Sequence, residues 1–265
     1  MIDLHLHSTF SYDGEGEPEN YIKKAIDSGD KIIGFSEHYD YDAIAYVEDN
    51  PLCEIEKYLS FAEKLQKKYI DATILKGIEL GFGKNVFEHY EWLNSTFHFD
   101  YVINSVHTVN GSVDAYFPKF FERKTLKQAY AEYFDTVLES VYAPYDYQII
   151  GHIGYVARYN NHENKVIDYI EYKTVIDEIL SAIIKRGKCL EINTSVGTSG
   201  WDYMPSTPII ERYFNLGGKD VCFGSDSHKV ENYSKNFSNL KKYLNQLGVK
   251  KACYFKNKQK IYYDL

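Results

Sequence analysis

Two histidines stand two residues apart in the apolar run that opens the chain, MIDLHLHSTFSYDGEGEPENY. Successive side chains of a β-strand alternate between its two faces, so residues i and i+2 lie on the same face. His5 and His7 would therefore project in one direction and could bind one cation together. Asp226 and His228 have the same spacing near the other end of the sequence, in FGSDSHK. This repeated spacing of imidazole and carboxylate groups indicates a metal site.

Other ionisable residues have a similar placement, at or just past the C-terminal end of a strand-like run. The candidate ligands placed in this way are His5, His7, Asp13, His38, Glu79, His107, His152, Asp226 and His228. The remaining histidines, His89, His98 and His162, do not follow the end of a strand-like run. Burying so many polar groups is costly unless each has a partner. Mixed nitrogen and oxygen donors suit zinc, manganese or iron, and nine donors are enough for two or three ions.

The elements that must position these residues alternate along the chain. The strand-like runs are Ile2–His7, Lys31–Ser36, Thr73–Leu80, Tyr101–Val106, Tyr147–Ile153, Lys188–Thr194 and Asp220–Ser225. The helical patterns are Glu19–Ser28, Glu54–Tyr69, Lys124–Tyr142, Lys173–Arg186, Thr207–Asn215 and Ser234–Leu247. This alternation predicts an α/β fold with a parallel sheet, either open and doubly wound or closed into a barrel. Seven similar repeats favour a barrel, in which active residues collect at the C-terminal ends of the strands.

Composition narrows the classes of protein. The 265 residues are expected to form one domain, residues 1–265, and the net charge of −8 argues against a nucleic-acid partner. No secretory leader and no apolar run of membrane-spanning length is visible. The four cysteines show no CxxC pairing, and we expect Cys189 and Cys222 to be buried small hydrophobic residues. We therefore expect a soluble cytoplasmic protein with reduced thiols and no membrane partner.

Seven motifs together resemble one known family. In order they are DLHLHSTFSYDG, FSEHYD, KGIELGF, NSVHTVNG, GHIGYVARY, LEINTS and FGSDSHK. They resemble the PHP (polymerase and histidinol phosphatase) superfamily and extend over the chain from Ile2 to Lys229. The compact length and the GHIGYVARY segment are similar to its monofunctional histidinol-phosphate phosphatase branch. The resemblance implies a distorted (β/α)7 TIM-like barrel that holds three divalent or mixed transition-metal ions, of zinc, manganese or iron.

The resemblance also implies how the ligands are divided among the ions. The first ion would be bound by His5, His7, Glu79 and Asp226. Glu79 would bridge to a second ion bound by His107 and His152, and the third would be bound by Asp13, His38 and His228. Some relatives have histidine where this chain has Asp13, and either residue can bind a metal.

The activity implied by the resemblance is hydrolysis of L-histidinol phosphate to L-histidinol and phosphate in histidine biosynthesis. A metal-bridging hydroxide would attack phosphorus. The candidate catalytic residues are Glu79, Asp226, His228 and Arg158. Arg158 is also the candidate substrate-binding residue, because a planar guanidinium can bind two phosphate oxygens at once; the alternative is a surface salt bridge. The implied partner is a small phosphate ester, and the protein would be a monomer or a homodimer.

Two other functions remain open on the sequence. One is a PHP-type phosphoesterase that acts on another small phosphoester or on phosphotyrosine, because a fold does not fix a substrate. The other is a non-catalytic metal-binding protein, although all nine candidate positions carry plausible donors. For the imidazole and amine of the substrate, the loop HTVNGSVDAYFPKFF offers Asp114, Tyr116 and Phe117. Its aromatic residues are equally well explained as packing.

Overall fold

The computed structural model describes residues 1–41, 52–110, 113–160, 167–196 and 203–265. Within these ranges the strands are β1 (Ile32–Tyr39), β2 (Thr73–Gly81), β3 (Tyr101–Ser105), β4 (Thr108–Val109), β5 (Val113–Asp114), β6 (Ile149–Ile150), β7 (Cys189–Asn193), β8 (Val221–Gly224), β9 (Lys251–Lys256) and β10 (Gln259–Asp264). The helices are α1 (Pro18–Asp27), α2 (Ile55–Lys68), α3 (Phe87–Thr96), α4 (Leu126–Val141), α5 (Tyr155–Tyr159), α6 (Lys173–Lys185), α7 (Thr207–Asn215) and α8 (Phe237–Gln246).

Six strands form one parallel sheet in the order β1-β2-β3-β6-β7-β8. Helices connect the successive strands, as parallel pairing requires. Every residue of β3, β7 and β8 is buried. Parallel strands that are covered by helices on both faces are buried in this way along their whole length. The sheet is therefore part of the core, and polar side chains are expected mainly where its strands end.

The first seven residues close the curled sheet. The amide of Leu4 donates to the carbonyl of Phe223 in β8, and the amide of Gly34 in β1 donates to the carbonyl of Asp3, both at 2.9 Å. The segment thus pairs with the two edge strands of the sheet through isolated bridges. The predicted α/β barrel-like fold is confirmed as a six-stranded parallel sheet that this segment closes. The predicted strand Ile2–His7 pairs only at isolated positions because it is shared between two edges.

The helices begin where local chemistry favours them. Helix α1 begins with Pro18, which suits a first turn because no amide hydrogen is needed there. Its buried face includes Tyr21 and Ile22. Helix α4 begins with a capping box, in which the side chains of Thr125 and Gln128 each accept from the other residue's amide. The six predicted helices begin and end within a few residues of the observed boundaries, whereas α3 and α5 were not predicted from the sequence.

The largest difference in a strand boundary occurs at β6. The sequence predicts a strand over Tyr147–Ile153, but only Ile149–Ile150 pairs with its neighbours. Just beyond it, the amide of His152 donates to a carboxylate oxygen of Glu191 at 2.6 Å instead of to a strand. The backbone therefore leaves the sheet where it reaches the cluster of ionisable side chains.

An unpredicted antiparallel hairpin, β9–β10, covers the end of the barrel where the parallel strands begin. Cys253 and Phe255 of β9 pack in a buried apolar cluster with Leu75 of β2. Cys189 and Cys222 belong to the same cluster, which confirms their predicted burial, and the chain's cysteines are free. None of the described helices has the length and apolar character needed to cross a membrane.

Candidate metal centre

Neighbouring strands place two candidate ligands side by side. His38 in β1 is paired in register with Glu79 in β2. Nδ1 of His38 lies 2.9 Å from Oε2 of Glu79, and both side chains are buried. The two residues lie near the C-terminal ends of their strands, where a barrel of this kind presents its reactive groups. The parallel register alone therefore brings an imidazole and a carboxylate into contact.

His5 and His7 reach the same point from the closing segment. Nε2 of His5 lies 3.2 Å from Oε1 of Glu79, and Nε2 of His7 lies 3.4 Å from Oδ1 of Asp226. The amide of Asp226 donates to the carbonyl of His5 at 2.8 Å, which holds the chain after β8 against this segment. Both imidazoles are fully buried. The i, i+2 spacing thus directs the two side chains toward the same pair of carboxylates.

Glu79 lies at the centre of the cluster. Its Oε1 also lies 2.9 Å from Nε2 of His152 and 3.4 Å from Nε2 of His107. These two imidazole nitrogens are 3.2 Å apart. One buried carboxylate therefore contacts imidazoles from four separate parts of the chain. Such a carboxylate is placed to bridge two cations.

Asp13 approaches the cluster from the turn that follows the closing segment. Nε2 of His228 lies 3.1 Å from Oδ2 of Asp13, and Nε2 of His38 lies 3.7 Å from Oδ1. The Nε2 atoms of His38 and His228 are 3.4 Å apart. The Asp13 side chain is 39% exposed, so it lies at the rim of an otherwise buried group.

The structure brings all nine candidate ligands into one contiguous cluster. Four triplets have potential ligand atoms within 4.8 Å of one another: His5, His7 and Asp226; His5, Glu79 and His152; His38, Glu79 and His107; and His7, His38 and His228. The histidines that the sequence set aside lie elsewhere. His89 stacks on Tyr41 with ring centroids 3.7 Å apart, and His98 is exposed. His162 lies outside the described residues.

Several polar atoms of the cluster have unused bonding capacity. Within the described chain, the buried atoms without a hydrogen bond include Nε2 of His5, Nε2 of His7, Nδ1 of His38 and Oε2 of Glu79. Buried polar atoms are rarely left without a partner unless a water or an ion binds there. The mixture of imidazole and carboxylate donors suits transition metals. The residues present therefore fit bound metal ions.

The carboxylates and imidazoles of the cluster shift one another's pKa values. Burial by itself raises the pKa of Glu79, but the surrounding imidazoles outweigh it and hold that pKa well below its usual range. The same balance holds at Asp226, where His7 and the Arg158 guanidinium contribute. Burial, together with neighbouring imidazoles, lowers the pKa of His7 well below its usual range. Metals bind ionised carboxylates and neutral imidazoles. Although burial lowers the pKa values of His5, His38 and His107, the carboxylates beside them outweigh it and raise those pKa values, so these three imidazoles must release protons when a metal binds.

A cavity of about 560 Å³ opens above the cluster. Its walls include Asp13, Asp226 and Arg158. Nη1 of Arg158 donates to Oδ2 of Asp226 at 3.0 Å and to the Ser195 hydroxyl at 3.3 Å. The guanidinium is 31% exposed, so part of it faces the cavity. The candidate clamp residue therefore stands beside the candidate ligands with donors available for an anion.

A buried carboxylate that the sequence analysis did not select supports two of these histidines. Glu191 in β7 is 1% exposed, and its Oε1 accepts from Nδ1 of His5 at 2.5 Å. Its Oε2 accepts from the amide of His152 at 2.6 Å. Hydrogen bonding at Nδ1 leaves Nε2 of His5 available toward Glu79, which is the usual way that an outer carboxylate orients a metal-binding histidine. The available signal was a Glu inside the apolar strand of LEINTS.

Two further acidic residues that orient proposed ligands lie in β1 and immediately after it. Asp40 accepts from Nδ1 of His107 at 2.8 Å, so Nε2 of that ring faces Glu79. The fully buried Glu37 accepts from the hydroxyl of Ser11 at 2.6 Å. That serine in turn lies 3.3 Å from Nδ1 of His7. The sequence did not single out these residues, because acidic and hydroxyl side chains next to a motif are common.

Replacing Glu191 with Gln is expected to weaken metal binding by roughly 10- to 100-fold, because outer partners of metal-bound histidines typically contribute that much. Glutamine retains the size of the side chain but loses the charge that holds Nδ1–H of His5. Metal content and affinity, measured by elemental analysis and competition with a chelating dye, check this expectation. Glu178→Gln, on the exposed face of α6, is the matched control. Equal metal affinity in both variants would contradict the orienting role of Glu191.

Comparisons with known proteins identify the family to which the chain is similar. Residues 3–195 match the family model described as PHP domain. The chain is 32% identical over 263 residues to a probable histidinol-phosphatase of Clostridium acetobutylicum, covering 98% of this chain and 99% of that protein. It is 31% identical over 229 residues to a histidinol-phosphatase of Lactococcus lactis, covering 86% of this chain and 84% of that protein.

The fold is also similar to a solved structure. That structure is histidinol phosphate phosphatase from Lactococcus lactis, complexed with zinc, L-histidinol and phosphate. The two chains superpose with a TM-score of 0.89 at 27% identity, and the match covers 98% of each. The family match extends over well more than half of this sequence, and it contains the first seven candidate ligands along the chain. The chain therefore belongs to the PHP domain family.

Proposed function

We propose that this chain is a metal-dependent phosphomonoesterase that hydrolyses L-histidinol phosphate to L-histidinol and phosphate, a reaction of histidine biosynthesis. The observation that carries the proposal is the cluster of imidazole and carboxylate side chains at the floor of a cavity that Arg158 also lines. The relatives of similar length are named as histidinol-phosphatases. The similar solved structure holds L-histidinol and phosphate, which are the two products of this reaction.

The proposed cofactor is a set of three ions of zinc, manganese or iron. Their proposed ligands are His5, His7, Asp13, His38, Glu79, His107, His152, Asp226 and His228. Zinc in the solved relative and the donor types of this cluster support the choice. When bound, such ions supply Lewis-acid activation of a phosphoryl group and of the attacking water. Glu79, Asp226 and His228 contribute to the reaction by holding the ions at the cavity floor.

Arg158 is proposed to bind the phosphoryl group of the substrate. Its contacts with Asp226 and Ser195 hold the guanidinium over the cluster without using all of its donors. A guanidinium so placed can donate to two phosphoryl oxygens and offset the charge that develops on them in the transition state. The bond to Asp226 also fixes a proposed metal ligand, so one residue links substrate binding to the metal centre.

The direct test is an assay of the purified, zinc- or manganese-loaded protein on histidinol phosphate. We expect phosphate release that falls more than about 100-fold when a chelator removes the metals, and that returns when metal is restored. Release from p-nitrophenyl phosphate or phosphotyrosine, but not from histidinol phosphate, would assign a different substrate. Loss of activity that metal does not restore, with the protein still folded, would contradict metal dependence.

The proposal also includes the domain organisation, the cellular location and the oligomeric state. We propose one catalytic domain over residues 1–265, because the closing segment and the last barrel strand, β8, meet through direct backbone bonds. We propose a cytoplasmic location, which the free cysteines favour, since disulfides are rare in that compartment. We propose a monomer or a homodimer, which sedimentation of the purified protein would distinguish.

A further inference from the structure

One acidic side chain of the cavity has no role in the metal cluster. Asp114, in the short strand β5, lines the cavity and is paired with Thr108, the residue after the proposed ligand His107. Its Oδ1 accepts from the amide of Tyr116 at 2.7 Å and from the hydroxyl of Tyr155 at 3.1 Å. These two neutral bonds fix the carboxylate in place. They leave its second oxygen for another partner.

The other carboxylates of the cavity wall already have cationic or imidazole partners. Asp13 pairs with His228, Asp40 with His107, and Asp226 with Arg158. Within the described parts of the chain, by contrast, no Lys, Arg or His forms a salt bridge with Asp114. Burial raises the pKa of Asp114, so a cation bound beside it would stabilise its charged form.

Aromatic rings surround this carboxylate. The ring of Tyr116 packs edge-on against Tyr159 at 4.9 Å, and Tyr159 packs against Tyr155 at 5.0 Å. Tyr12, which also lines the cavity, stacks on His38 with ring centroids 5.3 Å apart. All four tyrosines line the cavity, and Tyr12 and Tyr116 are 41% and 55% exposed. Aromatic faces around a half-buried carboxylate form a suitable environment for an organic cation.

The carboxylate lies close to the metal cluster. The ring of Tyr155, which donates to Asp114, stacks on His152 at 5.2 Å and lies 5.0 Å from the ring of His107. Asp114 is therefore separated from two proposed ligands by a single side chain. In histidinol phosphate the ammonium group sits on the carbon next to the ester methylene. A substrate with its phosphoryl group on the cluster must place that ammonium near the ester.

We infer that Asp114 and the surrounding tyrosines form a subsite for the primary ammonium group of an amino-alcohol phosphate. This inference rests on the proposed function and assigns the residue that selects the substrate. The Oδ2 atom of Asp114 accepts from the ammonium, while Tyr12 and Tyr116 shield the pair from solvent. Asp114 is thus a specificity-determining residue that contributes to substrate binding and is not a metal ligand.

Asp114→Asn is the informative variant, because asparagine can still accept from Tyr116 and Tyr155 through its amide oxygen. We expect the KM for histidinol phosphate to rise roughly 10- to 100-fold, since a partly buried charge pair is lost. The KM for imidazolylpropyl phosphate, which lacks the amine, should not change. The metal content should equal that of the wild type. Asp71→Asn removes an exposed carboxylate before β2, at the opposite end of the barrel, and is the charge-matched control.

The substrate pair separates this inference from the function on which it rests. Hydrolysis of histidinol phosphate with the same KM in wild type and Asp114→Asn would overturn the subsite but not the proposed function. An equal loss on both phosphates would also overturn it, because the amine would then have no special role. Wild-type protein that hydrolyses imidazolylpropyl phosphate but not histidinol phosphate would overturn both.

Discussion

Replacing Glu79 with Gln is expected to lower phosphate release from histidinol phosphate by more than about 100-fold. Glu79 is fully buried, and its two oxygens contact the imidazoles of His5, His38 and His152 at 2.9 to 3.2 Å. A glutamine would present one oxygen and one N–H₂ group to the same surroundings, so one of the two bridging donors is lost. Loss of a central ligand should exceed the 10- to 100-fold effect typical of an outer partner.

Two readouts accompany the activity of Glu79→Gln. The bound metal per chain should fall, because the variant no longer links its neighbouring sites. Far-ultraviolet circular dichroism should resemble that of Glu88→Gln, an exposed position in α3 that serves as the control. Full metal content together with full activity in Glu79→Gln would show that this carboxylate does not bridge metal ions.

Arg158→Ala is expected to lower kcat/KM for histidinol phosphate by roughly 100- to 1000-fold, the range found when a donor that stabilises transition-state charge is removed. Arg158→Lys should recover only part of this loss. An ammonium can supply the charge but cannot form the paired, planar contact with two phosphoryl oxygens. The measurement is steady-state kinetics with metal-loaded protein.

Metal content distinguishes a phosphate clamp from a structural salt bridge at Arg158. Since the guanidinium is not a ligand, Arg158→Ala should retain its metals and lose affinity for inorganic phosphate as a product inhibitor. Arg186→Ala, at the exposed C-cap of α6, is the matched control. Unchanged phosphate inhibition in Arg158→Ala, with normal kcat/KM, would show that Arg158 forms a structural salt bridge and does not bind phosphate.

The position of the cluster could be predicted from the sequence because it depends on repeating backbone geometry. Parallel strands end at one edge of a sheet, so residues as far apart as Glu79 and Asp226 were expected to meet there. The i, i+2 spacing of His5 and His7 gave their common direction in the same way. The fold class followed from the same alternation of strands and helices, and the structure confirms it.

The residues that orient the proposed ligands, such as Glu191 and Asp40, could not be predicted in this way. Glu191 lies within a strand, and its contacts with His5 and His152 depend on which strands become neighbours and how they are staggered. The role of Asp40 likewise depends on the rotamer of His107. A sequence pattern gives the face of a strand but not the partner across the barrel. The orienting residues therefore became visible only in three dimensions.

The irregular pairing of the first segment and of β6 has a similar cause. Both runs have the composition of buried strands, yet Ile2–His7 is shared between two sheet edges and His152 donates to a side chain. Tertiary contacts here override local β-propensity, as they commonly do in strands. The C-terminal hairpin was missed because its half-exposed strands lack the continuous apolar runs of the barrel strands.

The central claim is that nine side chains hold metal ions beside a phosphate-binding arginine. The most direct test is anomalous diffraction at the zinc edge from crystals of the zinc-loaded protein grown with phosphate. We predict anomalous peaks within the cluster, at about 2.0 to 2.2 Å from imidazole nitrogens and carboxylate oxygens, with phosphate between them and Arg158. A map without peaks among His5, Glu79 and Asp226, or with phosphate bound elsewhere, would contradict the account.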